Sequence, residues 1–218
     1  MLAELRERVR TAQRERRALR LRGYGTKDFY GESLSGERLE LRTHRGIIDY
    51  EPSELVITAR CGTPLSEIES ALTARGQFLA FEPPAFGADP SIGGVIAAGL
   101  SGPRRAYAGA ARDFVLGTKL LTADGELLRF GGRVMKNVAG FDVSRLLCGS
   151  LGILGIITEI SLKVVPRPRA EESLRLELPA AAAVQAFNRW CTQGLPVSGA
   201  AWWHGQAWLR LSGSRGRK

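Results

Sequence analysis

Apolar positions along this chain follow two periods, and the switches between them mark out its elements. Leu2, Leu5, Val9 and Ala12 fall three to four residues apart with arginines between them. This predicts an amphipathic helix within residues 1–17. Leu19 and Leu21 then alternate with arginines up to Gly23, as in a short strand, and Leu39 and Leu41 repeat the pattern. Leu55 to Ala59 is a compact apolar run suited to a buried strand. Thr63-Pro64 predicts a helix start, with Thr63 as the cap, Pro64 as the first helical residue, an apolar face of Leu65, Ile68 and Leu72, and Gly76 as the stop. Phe78 to Phe81 reads as another strand, ended by Pro83-Pro84. Val115 to Thr122 and Glu126 to Phe130 flank Asp124-Gly125, the signature of a hairpin. Asp142 to Leu147 suits a short helix. Ile156 to Val164 alternates, with Ile160, Leu162 and Val164 on one face.

Pro166 and Pro168 interrupt this pattern, and the chain restarts beyond them. Leu174, Leu176 and Leu178 alternate as a strand. An alanine-rich helix follows over 180–190, and then a strand pair turns at His204-Gly205. The order β-α-β-β is the first half of a ferredoxin-like unit. The expected division is therefore one domain over 1–168 and part of a second over 169–218.

Composition narrows the class. Hydrophobic residues make up 44% of 218 and charged residues 24%, enough apolar material for a sizeable core. The net charge of +9 invites a nucleic-acid or anionic-membrane reading. Its placement argues otherwise. Residues 1–22 hold eight arginines against three glutamates, and the last five residues add three cations, so the 23–213 body is almost neutral. The first helix reads as a surface helix with a solvated basic face, an interfacial or nucleic-acid helix being the other reading. Cys61, Cys148 and Cys191 are odd in number, far apart and without a CxxC, which speaks for a reducing compartment and against a disulfide framework or zinc site. Two histidines, His44 and His204, cannot alone build a histidine-rich metal centre. The chain is expected to be cytoplasmic, with peripheral association at the inner face of the cell membrane left open.

Candidate chemistry sits in three glycine-rich stretches. RGYGTK, residues 22–27, follows the first strand, and glycines there let successive amides converge on an anion. It is not a Rossmann fingerprint, because Asp28 stands where the third glycine would be, and no Gly-Lys-Ser/Thr triplet makes a P-loop. SIGGVIAAGLSG, residues 91–102, exposes backbone through small side chains, and Ser91 is placed to cap a helix and so add a helix N-terminus to phosphate binding. In the third, Gly149, Gly152 and Gly155 recur at every third residue and lead into a strand, where a flat ring could lie against backbone. Each stretch alone also reads as an ordinary turn or tight packing. Together they point to an extended ligand with a pyrophosphate, such as a dinucleotide.

The order RGYGTK, EPSELVITARCGTPLSEIESAL, SIGGVIAAGLSGPRR, RDFVLG and VMKNVAGFDVSRLLCGSLGILGIITEISLKVVPRPR resembles the FAD-binding domain of the vanillyl-alcohol-oxidase (PCMH) type. Within that superfamily it is most similar to the FAD-binding E subunits of bacterial glycolate oxidases. The resemblance implies an α+β fold: a two-lobed FAD-binding domain followed by the start of a ferredoxin-like cap, with the chain stopping inside the cap. It implies a first pyrophosphate loop of Arg22, Gly23, Tyr24, Gly25, Thr26 and Lys27. A second would comprise Pro90, Ser91, Ile92, Gly93, Gly94, Ala98 and Gly102, with Gly152, Ile156 and Ile157 by the adenine. The Lys136–Asp142 stretch would line the same cleft. Tyr24 stands where the superfamily usually has glycine, and Phe141 where it usually has tyrosine. The implied activity is oxidation of glycolate to glyoxylate, electrons passing through a non-covalent FAD to a catalytic flavoprotein subunit and an iron–sulfur subunit. A catalytically silent scaffold, or a self-sufficient oxidoreductase acting on lactate or a sugar lactone, are the other readings. No catalytic base and no metal ligand is assigned. Arg104, Arg105 and Arg112 could hold a carboxylate or phosphate, or serve as surface and structural arginines.

Overall fold

The structure is a computed structural model and describes residues 1–33, 35–87, 89–132 and 141–213. Helix α1 (Leu2–Arg14) leads into β1 (Leu19–Arg22), β2 (Glu37–Glu40), β3 (Ile47–Glu51) and β4 (Val56–Arg60). Helix α2 (Leu65–Thr73), the two-residue strand β5 (Gln77–Phe78), α3 (Ile92–Ala98) and the single turn α4 (Arg105–Ala108) follow. Strands β6 (Val115–Leu121) and β7 (Leu127–Gly131) form the expected hairpin, and α5 (Val143–Leu146), β8 (Ile156–Lys163) and β9 (Val165–Pro166) complete this part. Beyond them lie β10 (Ala170–Glu177), α6 (Ala180–Thr192), β11 (Val197–Trp203) and β12 (Gln206–Gly213).

Five strands form an antiparallel sheet in the order β3-β4-β8-β6-β7. Its centre is β8, whose Ile160 and Leu162 are 1% exposed. They pack with Ile57 of β4, Ile68 and Leu72 of α2, and Ile92, Val95 and Ile96 of α3. A Cβ alternates across a strand and recurs every three to four residues on a helix, so these sequence periods converge on one core. Ile160→Ala deletes methyl groups at its middle and is expected to cost about 2–5 kcal/mol, read from the denaturant midpoint. Helix α1 builds a second, smaller core from Leu5 and Val9 against Leu39, Leu121 and Ile156. Its basic face is tied down as well: Arg8 pairs with Glu37 at 2.8 Å, and Arg6 donates to the Gly125 carbonyl at 2.9 Å.

Strands β1 and β2 pair in parallel, Leu19 opposite Glu37 and Arg22 opposite Glu40. Parallel neighbours need a long crossover, and residues 23–36 supply it, beginning with the first glycine stretch. The final sheet has the order β10-β12-β11 and is antiparallel throughout. Strands β10 and β11 therefore run parallel with β12 between them, a split β-α-β unit. His204 (φ +46°) and Gly205 (φ +78°) make its hairpin turn.

Two local expectations need correction. Phe78 to Phe81 is not one strand. Only Gln77 and Phe78 pair, with Pro166 and Val165; the next residue in register, Val164, gives its amide to the Leu55 carbonyl at 2.9 Å instead. Leu79, Ala80 and Phe81 are instead buried core residues without a ladder. Nor does Thr63 cap α2: its hydroxyl donates to the Arg60 carbonyl at 2.7 Å and accepts from the Gly46 amide at 2.9 Å. The first amides of α2 go to the Pro90 carbonyl (from Leu65, 2.8 Å) and the Asp89 carboxylate (from Ser66, 3.1 Å). These bonds tie α2 to the segment leading into α3. Strand β3 had no recognisable sequence signal; Ile47 and Ile48 are adjacent rather than alternating, and a register shift between Ile47 and Asp49 explains why.

Candidate functional site

The three glycine stretches, whose outermost groove glycines Gly23 and Gly155 are 132 positions apart in sequence, meet at one groove. Gly23 of the first faces Ser91 of the second so closely that a Cβ at Gly23 would lie 2.3 Å from the Ser91 Oγ. Gly99, at the end of α3, faces Gly149 of the third, and its Cβ would meet the Gly149 Cα at 2.9 Å. The Gly149 and Leu151 amides donate to the carbonyls of Ile96 (3.0 Å) and Ala97 (2.9 Å) on α3. A Cβ at Gly152 would strike Leu21 of β1 at 2.9 Å. The small residues are needed because Gly99 packs backbone on backbone against Gly149, while Gly23 and Gly152 make room for the Ser91 and Leu21 side chains.

The wider end of the groove encloses about 300 Å³ between the 22–27 loop, Pro90, Ser91, Gly94, Ala97, Ala98, Leu151 and Ile153. It continues into a narrower part of about 80 Å³ lined by Leu21, Leu41, Cys61, Gly93, Gly152, Gly155 and Ile157. A third cavity of about 270 Å³ shares Leu21, Gly152 and Gly155 with it and lies against Val9, Ala12, Leu121 and Ile156. The structure thus brings together Arg22, Gly23, Tyr24, Gly25, Thr26, Lys27, Pro90, Ser91, Gly93, Gly94, Ala98, Gly152 and Ile157, with Ile156 on the adjoining cavity.

It does not bring Ile92 or Gly102 to the groove. Ile92 is fully buried under the sheet, because the first residue of α3 turns its side chain to the core. Gly102 packs on Glu82, where a Cβ would stand 2.6 Å from the Glu82 carbonyl oxygen. Residues 133–140 lie outside the described residues, and with them most of the Lys136–Asp142 stretch. Of its end, Phe141 is 98% exposed, and the Asp142 carboxylate caps α5 by accepting from the Arg145 amide at 3.1 Å. Arg104 is structural: it joins an ion-pair network away from the groove. Arg105 and Arg112 are exposed.

Ser91 caps α3 as expected, accepting from the Gly94 amide at 3.3 Å. The other amides of that turn are satisfied too: Ile92 donates to Thr63 (2.9 Å), Gly93 to Cys61 (2.8 Å) and Val95 to Ser91 (2.9 Å). No donor of this helix end is left for a phosphate, which corrects the expectation placed on it. The first glycine stretch differs. Among the described residues, the amides of Tyr24, Gly25, Thr26 and Lys27 reach no protein acceptor. Gly25 holds φ +73°, and a Cβ there would collide with the Arg22 guanidinium packed beneath it. Arg22 and Arg20 both grip the Asp28 carboxylate, at 2.8 and 3.1 Å, which braces the loop from below.

Lys27 is the exception in this braced loop. Its Nζ is buried, has no hydrogen-bond partner among the described residues, and lies 5.7 Å from the centre of the Phe86 ring. Burial pushes its pKa below the ordinary lysine value. A desolvated cation beside four unused amides, on the wall of a groove, is a site with an anion left out of the account. The ligand class this fits has a negatively charged middle and a flat apolar end: a pyrophosphate over 23–27 and a ring along Gly152, Gly155 and Ile157.

Sequence reasoning missed Leu21, Leu41, Cys61, Ala97 and Leu151. Nothing marks the leucines in sequence as groove-facing. Leu151 adopts a left-handed φ of +51°, a tertiary effect. The Cys61 thiol is pushed up to about 12 by burial, so it stays protonated and is a poor nucleophile. Among the described residues no group of three His, Cys, Asp or Glu side chains could hold a metal, and no helix is long and apolar enough to cross a membrane.

The groove belongs to an α+β domain lined by glycine loops, and comparison with known proteins says which kind of domain it is. The family described as FAD binding domain matches residues 2–131, and the chain belongs to that family. It is 50% identical over 210 residues to the glycolate oxidase subunit GlcE of Escherichia coli K12, covering 96% of this chain and 60% of that one. It is 34% identical over 128 residues to glycolate oxidase subunit GlcD of Bacillus subtilis, covering 59% of this chain and 27% of the relative. With the D-lactate dehydrogenase of Anaerostipes hadrus it shares 32% identity over 64% of this chain and 29% of the relative. An alkyldihydroxyacetonephosphate synthase structure superposes with a TM-score of 0.75 at 19% identity, over 97% of this chain and 46% of that one, which establishes the fold. The chain thus spans 60% or less of the length of these relatives.

Proposed function

We propose that this chain is the FAD-binding subunit of a multisubunit glycolate oxidase, in which a 2-hydroxy acid is oxidised and electrons leave through the flavin. The carrying observation is the pairing of the unused Tyr24–Lys27 amides with the buried Lys27 ammonium, a cradle suited to a cofactor pyrophosphate. The 50% identity to the E. coli subunit supports the particular complex. FAD, bound non-covalently, supplies a two-electron acceptor. This chain's residues hold it: the loop amides and Lys27 take the pyrophosphate, Gly94 and Ala98 leave room for the cofactor to run past α3, and Gly152, Gly155 and Ile157 border its adenine end. We further propose that residues 1–168 are the FAD-binding domain and 169–218 the start of a cap. The partners proposed are a catalytic flavoprotein subunit like GlcD and an iron–sulfur subunit, in the cytoplasm or at the inner face of the membrane.

The test is a titration of the purified chain with FAD. One equivalent is expected to bind with quenching of flavin fluorescence, and co-expression with a GlcD-type subunit and an iron–sulfur subunit is expected to yield glycolate-driven dye reduction. A chain that leaves FAD fluorescence untouched overturns the proposal. Turnover of D-lactate but not glycolate by the complex overturns its substrate assignment.

A further inference from the structure

Four charged side chains join the two ends of the cofactor helix to the last sheet. Glu82 sits where the chain leaves the core for Pro83-Pro84 and the segment leading to Ser91, and Arg104 sits just past α3. The Arg104 amide donates to one Glu82 carboxylate oxygen at 2.9 Å and its Nε to the other at 3.3 Å. From β12, Arg210 donates to both oxygens of the same carboxylate, at 2.7 and 3.0 Å. From β10, Glu171 accepts from the Arg104 Nη2 at 2.7 Å, and Ser212 of β12 donates to the same Glu171 oxygen at 2.7 Å. The side chains of Arg104, Glu82 and Arg210 are 11%, 21% and 23% exposed, so solvent screens the two Glu82 pairs little, whereas Glu171, 41% exposed, is screened more. Two carboxylates and two guanidiniums balance, and Glu171 is held below the usual carboxylate range by the Ser212 hydroxyl and then by the two arginines.

The backbone is shaped to this cluster. Glu82 adopts φ +49°, a left-handed conformation costly for a side-chain-bearing residue, and Gly102 is the only size that fits against its carbonyl. The Gly102 amide donates to the Phe81 carbonyl at 2.9 Å. The segments before and after α3 are thereby clamped side by side, and the sheet β10–β12 grips the clamp rather than α3 itself. Between the clamped points lie Ser91, Gly94, Ala97 and Ala98, the side of the groove formed by α3.

We infer that Glu82, Arg104, Glu171 and Arg210 are positioning residues that couple the β10–β12 unit to the FAD groove, so that this sheet sets how firmly α3 is held and cofactor occupancy in turn tightens the sheet. The inference rests on the FAD reading of the groove. None of the four residues lines that groove, so their effect on the cofactor is carried by the clamp. Reciprocity is a thermodynamic necessity: whatever the sheet adds to FAD affinity, FAD adds to the hold on the sheet.

The experiment is hydrogen exchange on the full 218-residue chain with and without FAD, in the wild type, Arg210→Met and Arg210→Lys. In the wild type, FAD is expected to slow exchange of β12 amides that touch no ligand. Arg210→Met is expected to weaken FAD binding about tenfold and to abolish the FAD-dependent protection of β12, with helix and strand content unchanged by circular dichroism. Arg210→Lys keeps one cation and is expected to recover part of both. Should Arg210→Met fail to fold, Glu82→Gln, which keeps the side-chain shape, reads the same two quantities. Wild-type β12 exchange indifferent to FAD, or a variant with wild-type affinity, overturns the coupling. Absence of FAD binding by the wild type overturns the groove assignment instead.

Discussion

Gly94→Trp is expected to eliminate FAD binding while leaving the fold standing. Gly94 is the second glycine of α3, and its missing side chain opens onto the groove. A Cβ there would meet only the Ser91 Oγ, at 3.2 Å, the free end of a small side chain. Any residue but proline can therefore continue the helix at this position, and most gain helix propensity over glycine. An indole would then occupy space between α3 and the 22–27 loop where the cofactor must pass. The expected loss is at least about 100-fold in affinity, roughly 3 kcal/mol, read by flavin fluorescence, with a thermal midpoint close to wild type. The contrast with Gly93 checks the geometry. A Cβ at Gly93 would stand 2.7 Å from the Cys61 Cβ and 2.8 Å from its carbonyl oxygen, on the turn directly after β4, whose backbone is pinned by the Cys61 amide's bond to the Thr158 carbonyl. Gly93→Trp is thus expected to lower the thermal midpoint as well as FAD binding. Retention of tight FAD binding by Gly94→Trp would remove the groove from consideration as the cofactor site, and full activity of a reconstituted complex carrying a Gly94→Trp chain that no longer binds FAD would favour a scaffold role.

The second large effect is expected from Lys27→Met. Methionine keeps most of the stem but removes the ammonium over the Phe86 ring, the one cation of the loop that has no hydrogen-bond partner among the described residues. Arg22 cannot replace it, since its guanidinium is committed to Asp28 beneath Gly25. Loss of one member of a desolvated charge pair costs about 2–3 kcal/mol, or roughly 30- to 150-fold in FAD affinity. The pH dependence has a fixed sign. Burial lowers the Lys27 pKa in the free protein, and a bound pyrophosphate raises it, because a nearby anion favours the charged form. FAD binding therefore takes up a proton once pH exceeds the free-state pKa. Affinity is full below that value and falls as pH rises through it, in a range below the ordinary titration of lysine. Lys27→Met is expected to flatten this part of the profile, while Lys27→Arg keeps a cation that does not titrate there. A wild-type profile that is flat across this range would show that Lys27 does not face the phosphates.

Residues 22–27, 91–102 and 149–157 announced a phosphate-and-ring ligand because glycine repeats are local events, readable one stretch at a time. The helix α3, its Ser91 cap, the β6–β7 hairpin and the order of the last four elements were legible for the same reason: capping, turn chemistry and period all act over a few residues. The +9 charge was legible only as a sum, whereas the structure spends much of its N-terminal excess on ion pairs such as Arg8–Glu37 and Arg20–Asp28. The sequence by itself determined most of the strands, helices and glycine loops, β3 and the stretch after Phe78 excepted, and that the loops suit an anion. Only the tertiary structure decided which donors remain free to bind one. It emptied the N-terminus of α3 of donors by giving its amides to Thr63, Cys61 and Ser91, and it turned Ile92 to the core and Gly102 onto Glu82. It left Lys27 buried without a partner and committed Arg104 to Glu82 and Glu171. The physical reason is that a donor's availability depends on every acceptor within about 3.5 Å, and those acceptors come from segments far apart in the chain, whose distances no local pattern records.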